Sequence, residues 1–432
     1  MPTDPLSAIQ ASSPAARPVP SAVRWHVLVA GFLCYGFDAM DFMVLALALP
    51  LIMSEWHLSL GEAGLLGTAG MIGVGLSSLT LGWYADNYGR RRALIVSVLI
   101  FALFTSLMAL ARNRFDLMIL RLLAGLGLGG LWGVLTVMIN ETWPPRWRGR
   151  AAAFVLSAWP VGVSAAALLA RALLPGHGWR PLFAWGGAAS VAVLYIVAYV
   201  PESAAWKQQR PRESAAVKIA DPVRIREIFR PGLAGRTWLG TLAAACALTG
   251  YWGTNTWLPT YLMRDRGLQA ASMASFVVML NAGMFVGYQL FGWIADKIGQ
   301  RRALLWCFCG ASVLLPIYAA IRNNDVLFWM GPILAVFFAY TGPFGAYFPE
   351  LYPIRVRSMG AGFCFNVGRG VAAFAPYALG EIAAHVGMSM SIALSAIGFG
   401  LAGFFVLLLP DKPGDSSHAA NSTSTAPESE PA

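Results

Sequence analysis

Charge is what this chain has least of. Asp, Glu, Lys and Arg make up 12% of its 432 residues, against 57% hydrophobic residues and a mean hydropathy of +0.60. Water-soluble domains carry about twice that charged fraction, so a chain of two or three soluble domains with polar surfaces is excluded. Cysteine is scarce as well: Cys34, Cys246, Cys307, Cys309 and Cys364 all lie in apolar runs, and none forms a CxxC pair. Neither a disulfide framework nor a thiolate metal site is expected, and the thiols read as small buried hydrophobes. The five histidines fall near the ends of apolar runs or in the tail, without ligand spacing, so no metal or other cofactor is expected. No phosphate-binding GxxxxGK loop occurs, which excludes ATP as an energy source, and the chain is not read as an enzyme. The formal charge of +10 would suit nucleic acid only as a basic face on a soluble module. Here the cations sit in short clusters between apolar runs, so no nucleic-acid partner is expected.

What the chain has in abundance is apolar runs long enough to cross a bilayer. Windows of about twenty residues give twelve spans, near 27–52, 62–84, 93–111, 115–140, 151–174, 181–200, 237–263, 270–294, 303–321, 326–348, 359–384 and 387–409. Helices are expected throughout, because barrel strands alternate and would not give continuous apolar runs. The resulting plan is a cytoplasmic leader at 1–25, rich in Pro, Ser and Ala, a six-helix bundle at 26–200, a polar loop at 201–236, a second bundle at 237–409 and a low-complexity tail at 410–432. Counting Arg171, near the end of the fifth span, with the outer side, 22 Lys and Arg fall on the side of the termini and 7 on the other. That bias places both termini in the cytoplasm.

The two bundles repeat one another. "LGWYADNYGRRRAL" follows span two and "FGWIADKIGQRRAL" follows span eight, at a constant offset of 210 residues. "ETWPPRWRGRAAAF" at 141 is echoed by "ELYPIRVRSMGAGF" at 350. Duplicated halves imply a binding site between them. The twice-occurring Gly-x-x-x-Asp-x-x-Gly-x-Arg-Arg pattern resembles the signature of the major facilitator superfamily. The resemblance implies an all-α polytopic membrane protein, twelve helices in two pseudo-symmetric bundles of six. It also implies a cytoplasmic gate built from Gly82, Asp86, Gly89, Arg90, Arg91, Arg92, Glu141 and Arg150 in one half and Gly292, Asp296, Gly299, Arg301, Arg302, Glu350 and Arg357 in the other. Gly82 would permit close helix contact, Gly89 a tight turn, and the arginines a clamp. Glu141 and Glu350 would form ion pairs that break as the halves rock.

Within that superfamily, "DAMDFMVLALAL" in the first helix resembles the Asp-Gly-x-Asp motif of proton-coupled aromatic acid and sialate or lactate symporters, with Ala39 in the glycine position. At 100° per residue, Cys34, Asp38, Asp41, Leu45, Ala48 and Ile52 share one stripe. Asp38 lies ~17 Å into the span, near the centre of a bilayer core roughly 30 Å thick. Carboxylates there are held only for function or pairing. Arg369, in the eleventh helix, is the natural counter-charge. The expectation is that Arg369 holds a substrate carboxylate while Asp38 or Asp41 exchanges a proton. A purely structural ion pair between helices one and eleven has the same sequence signature. Arg121 either meets the aspartates or snorkels outward. Asn366, Tyr251, Trp252, Asn281 and Tyr340 are further candidates to line the pocket.

These residues favour proton-coupled import of a small organic anion, such as an aromatic acid, muconate or muconolactone, by alternating access. Expected partners are the anion, protons and the lipid bilayer of the cell's inner membrane, with the chain acting as a monomer. A drug or metabolite exporter is the first alternative, but the fifth helix lacks a Gly-Pro-x-x-Gly-Gly run. A sugar or polyol symporter is the second, and an intramembrane arginine suits an anion better than a neutral sugar. A ligand sensor would call for an appended folded domain, for which neither terminus is long enough.

Overall fold

The computed structural model describes residues 20–209, 225–353 and 356–411. The expected leader and tail lie almost wholly outside the described residues, as does the middle of the 201–236 loop. Among the described residues every regular element is helical. The twelve spanning segments are α1 (Ser21–Trp56), α2 (Leu60–Tyr88), α3 (Arg90–Met108), α4 (Arg114–Leu128 and Leu131–Thr142), α5 (Pro145–Leu156 and Ala158–His177) and α6 (Arg180–Ala184 to Ser190–Tyr199) in the first half. The second half holds α7 (Ala234–Arg264), α8 (Ala270–Ile298), α9 (Gln300–Ala320), α10 (Asn324–Val336 and Thr341–Glu350), α11 (Arg357–Ala372 and Ala375–Val386) and α12 (Met388–Leu407).

Ten of these segments are, by length and apolarity alone, able to cross a membrane. The other two are α7 and α11, and each falls short for a reason. α7 is 31 residues long but carries Thr, Tyr and Asn along the face that packs on other helices. α11 is interrupted at Ala373 and Phe374 and contains Arg369. The outer faces of the bundle expose Leu99, Leu103, Leu194, Val197 and Leu407, as a lipid-facing surface requires. Trp83 and Trp293, 210 residues apart in equivalent positions, are both exposed at the same end of the bundle, in the manner of an interfacial aromatic belt.

The repeat extends to individual contacts. A Cβ on Gly73 of α2 would lie 2.1 Å from the Leu122 carbonyl oxygen of α4, and one on Gly283 of α8 would lie 2.1 Å from the Pro332 carbonyl oxygen of α10. Both members of the second pair sit 210 residues after the first. Bare glycine thus lets α2 and α4, and likewise α8 and α10, touch backbone to backbone. Arg91 donates to the Val197 carbonyl at the end of α6 (2.7 Å), and Arg301 donates to the Leu407 carbonyl at the end of α12 (2.6 Å), again at an offset of 210. Each half therefore ties its third and sixth helices together by the same device.

The halves meet where α1 packs on α7, α5 on α8 and α2 on α11. Along α11 the segment Ala375–Val386 packs on α2 far more extensively than Arg357–Ala372 does. Between α2 and α11 the seam is accordingly tighter on the side away from the chain ends. There Gly64 and Gly380 allow close approach: a Cβ on Gly64 would be 2.5 Å from the Pro376 carbonyl, and one on Gly380 would be 2.6 Å from the Leu60 carbonyl.

Candidate functional site

α1 is buried on all sides from Asp38 to Pro50, because it is wrapped by α5, α7 and elements of its own half. The whole stripe Cys34, Asp38, Asp41, Leu45, Ala48 and Ile52 is inside. Asp38 and Asp41 are 3% and 4% exposed, and Arg121 is 3% exposed, so Arg121 points inward and does not snorkel.

Asp41 is fully engaged. Its Oδ2 accepts from Arg121 Nη1 at 2.8 Å, its main-chain carbonyl accepts from the same nitrogen at 3.2 Å, and its Oδ1 accepts from the Thr105 hydroxyl of α3. Gly70 makes room for this arrangement: a Cβ there would lie 2.7 Å from Arg121 Nε. Asp38 differs. Its Oδ1 is buried with no hydrogen-bond partner, and the charges that face it are Arg369, Asp41 and Arg121. Arg369 donates no hydrogen bond among the described residues; its guanidinium carbon lies 5.9 Å from the centre of the Phe42 ring.

Phe42 is the hub of the site. Arg121 stands over its ring at 5.6 Å and Arg369 at 5.9 Å, one guanidinium from each half. The same ring packs on Trp252 at 4.7 Å and on Trp159 at 5.8 Å. Trp159 Nε1 in turn donates to the Tyr251 hydroxyl across the seam at 2.8 Å. Phe42 and Trp252 are themselves 210 residues apart, so equivalent positions of the two halves meet face to face. A small cavity beside them is lined by Phe42, Gly67, Arg121, Trp252, Asn255 and Pro376, among others. Aromatic walls with one buried ion pair, one unpartnered carboxylate oxygen and one uncommitted guanidinium form a surface suited to a planar anion.

Asp38, Asp41, Arg121, Arg369, Tyr251 and Trp252 are thus brought together. Tyr340 stands behind the site, its ring 6.2 Å from that of Tyr251 and packed among Phe308, Phe344 and Phe399. Two other candidates are not brought in: Asn281 turns its amide onto the Val277 carbonyl of its own helix (2.9 Å), and Asn366 is exposed. Phe42 and Thr105 were not among the residues expected. Thr105 is a hydroxyl in an otherwise apolar run, which is a weak signal; Phe42 is one of 24 phenylalanines and gives none.

At the end of the bundle that carries the termini, Gly89 and Gly299 make the turns, with φ of +111° and +92°. Arg90 donates to the Ala85 carbonyl and pairs with Glu141 at 3.4 Å, a bridge between α3 and α4 within one half. Arg301 and Arg302 approach Asp411 at 3.7 and 3.5 Å. Arg92 and Asp296 are exposed, and Arg150 stacks on Trp147. A Cβ on Gly292 would meet nothing within 4 Å, so the close helix contact expected at its equivalent Gly82 does not occur there. Glu350 is exposed at the end of α10. The surroundings of Gly82 and the side chains of Asp86 and Arg357 lie outside what the structure describes.

The Arg121–Asp41 pair gives a test of its own. Truncating Arg121 to alanine leaves Asp41 buried without its counter-charge, which is expected to destabilise the protein by about 3–5 kcal/mol. Thermal unfolding in detergent should show the loss, and Arg121→Leu combined with Asp41→Asn should recover most of it. An Arg121→Ala protein as stable as its parent would rule out the pair as a structural tie.

A two-fold repeated helical bundle, with charged side chains from both halves gathered at mid-depth on the seam, defines a membrane carrier of solutes. The chain belongs to the Major Facilitator Superfamily, which it matches over residues 31–349; it is a transporter and not an enzyme. It is 32% identical over 387 residues to a cis,cis-muconate transport protein of Acinetobacter baylyi, covering 88% of this chain and 91% of that one. It is 29% identical over 414 residues to a gallate transporter of Pseudomonas putida, with 88% and 90% covered. Among solved structures it resembles a bacterial homolog of the human lysosomal transporter Spinster in an inward-facing, unoccupied conformation, with a TM-score of 0.74, 19% identity and 90% and 97% covered. These likenesses establish a multi-pass membrane transporter of that superfamily.

Proposed function

We propose that the protein imports a small planar carboxylate, an aromatic acid or a ring-cleavage product, together with protons. The observation that carries this reading is the Asp38–Arg369 arrangement around Phe42: a guanidinium with all its donors uncommitted faces a buried carboxylate with an unpartnered oxygen. Arg369 receives the substrate carboxylate in a planar two-point contact, and Phe42, Trp252 and Trp159 receive its flat face. Asp38 takes the proton that accompanies it. The muconate and gallate relatives support a carboxylate cargo. The halves 26–200 and 237–409 are the rocking units, in the inner membrane, with both termini cytoplasmic and the chain working as a monomer. The arginine clusters at residues 90–92 and 301–302 brace the cytoplasmic ends of each unit. The four charges gathered on the seam, three of them buried, count against a neutral sugar as cargo.

Uptake of radiolabelled aromatic carboxylates by cells producing the protein is expected to concentrate the acid inside, and a proton ionophore should abolish that concentration. Accumulation that survives collapse of the proton gradient would refute proton coupling.

A further inference from the structure

The numbers of carboxylates and guanidinium groups at the centre define a charge balance. Arg121 and Asp41 cancel, and each Asp41 oxygen already accepts a hydrogen bond, Oδ2 from Arg121 and Oδ1 from Thr105. That leaves two charges that no ion pair cancels: Asp38, whose Oδ1 is unpartnered, and Arg369, which makes no hydrogen bond among the described residues. The charged groups facing Asp38 are Arg369 from α11, Asp41 from its own helix and Arg121 from α4. The other titratable groups that interact with it are the phenol of Tyr35 and the thiol of Cys34, with Tyr251 and Tyr288 beyond Tyr35; these carry no charge near neutral pH.

We propose that the site selects monocarboxylates and moves each with a single proton, so that the transport cycle carries no net charge. The inference rests on the carboxylate and proton reading above. With the site empty and Asp38 ionised, the four side chains sum to zero. Adding one proton to Asp38 and one monoanion at Arg369 again sums to zero. A dicarboxylate carried with one proton leaves a surplus negative charge. The other guanidinium, Arg121, keeps an unpartnered Nε, but its charge is already cancelled by Asp41 in a 2.8 Å ion pair, so neither member of that pair offsets the surplus. A net charge enclosed between low-dielectric helices opposes the closure of the halves that translocation requires. The loaded and the empty carrier are therefore the two states able to reorient, which is the condition for coupling.

The full chain, reconstituted in proteoliposomes, separates the outcomes. Gallate serves as a monoanion probe and cis,cis-muconate as a dianion probe, each under an outside-acid pH gradient or under an inside-negative potassium diffusion potential set by valinomycin. The pH gradient is expected to drive gallate accumulation, and the potential alone to change its uptake less than about twofold. Muconate uptake is expected to be at least about tenfold slower, the discrimination an uncompensated charge imposes. Gallate accumulation driven by the potential alone would overturn the single-proton balance while leaving proton symport intact. Equal rates for the two acids would overturn selection by charge. A pH gradient that moves neither acid would refute the underlying carboxylate reading, and this inference with it.

Discussion

Replacing Arg369 with alanine is expected to lower carboxylate uptake by a hundredfold or more, with the amount of folded protein in the membrane unchanged. The size follows from the bond type. Hydrogen bonds to charged groups contribute about 1.5–3 kcal/mol each, a two-point contact has two of them, and each ~1.4 kcal/mol is a factor of ten. The fold should survive because Arg369 makes no hydrogen bond that other elements depend on. Its contact with the Phe42 ring is of a kind that contributes about 0.5–2 kcal/mol. Arg369→Lys should restore only part of the uptake, since an ammonium is a point charge and cannot grip both oxygens in one plane. Uptake assays beside membrane-fraction blots read both effects. Near-normal transport by a well-inserted Arg369→Ala protein would remove this residue from the binding site.

Asp38→Asn is expected to split transport into its parts. The amide matches the carboxylate in shape but has no proton to exchange, so accumulation driven by a pH gradient should vanish. Exchange of labelled for unlabelled substrate across the membrane needs binding and reorientation but no net proton movement. It should persist within about a factor of ten, because the substrate carboxylate still balances Arg369 at the centre. Counterflow in proteoliposomes with equal pH on both sides distinguishes the two. Loss of exchange together with accumulation would make Asp38 a substrate ligand and would move the proton to another group. Full gradient-driven accumulation would remove Asp38 from coupling altogether.

Much of this architecture was legible in the sequence because bilayer physics leaves few options. Apolar runs of fixed length must be helices, and a motif repeated at an offset of 210 must mark duplicated halves. The stripe from Cys34 to Ile52 followed from helical periodicity, and the burial of Asp38 and Asp41 from their position within it. What the sequence did not disclose was partnership. Whether Arg121 faced inward depended on Gly70, fifty-one residues earlier, which leaves space for the guanidinium. Asn281 and Tyr340 attracted notice as polar groups among apolar ones, yet Asn281 satisfies itself on its own helix and Tyr340 belongs to an aromatic core. Phe42 was invisible for the opposite reason: a phenylalanine in a membrane helix is ordinary until two arginines and two tryptophans from elsewhere in the chain converge on it. Glu141 does form an ion pair, but with Arg90 of its own half, and such a bridge does not have to break when the halves move.

The meeting of Phe42 with Trp252 has a mechanical consequence. Two bodies that rock against each other turn about a line near the middle of their shared face, and material close to that line scarcely travels. A ring pair formed by corresponding residues of the two halves, at mid-depth on the seam, sits where displacement is least. Tilting that parts Gly64 from Pro376 at one end would leave the cage around Phe42 assembled. The cargo would then see nearly the same walls whichever side of the membrane it faces.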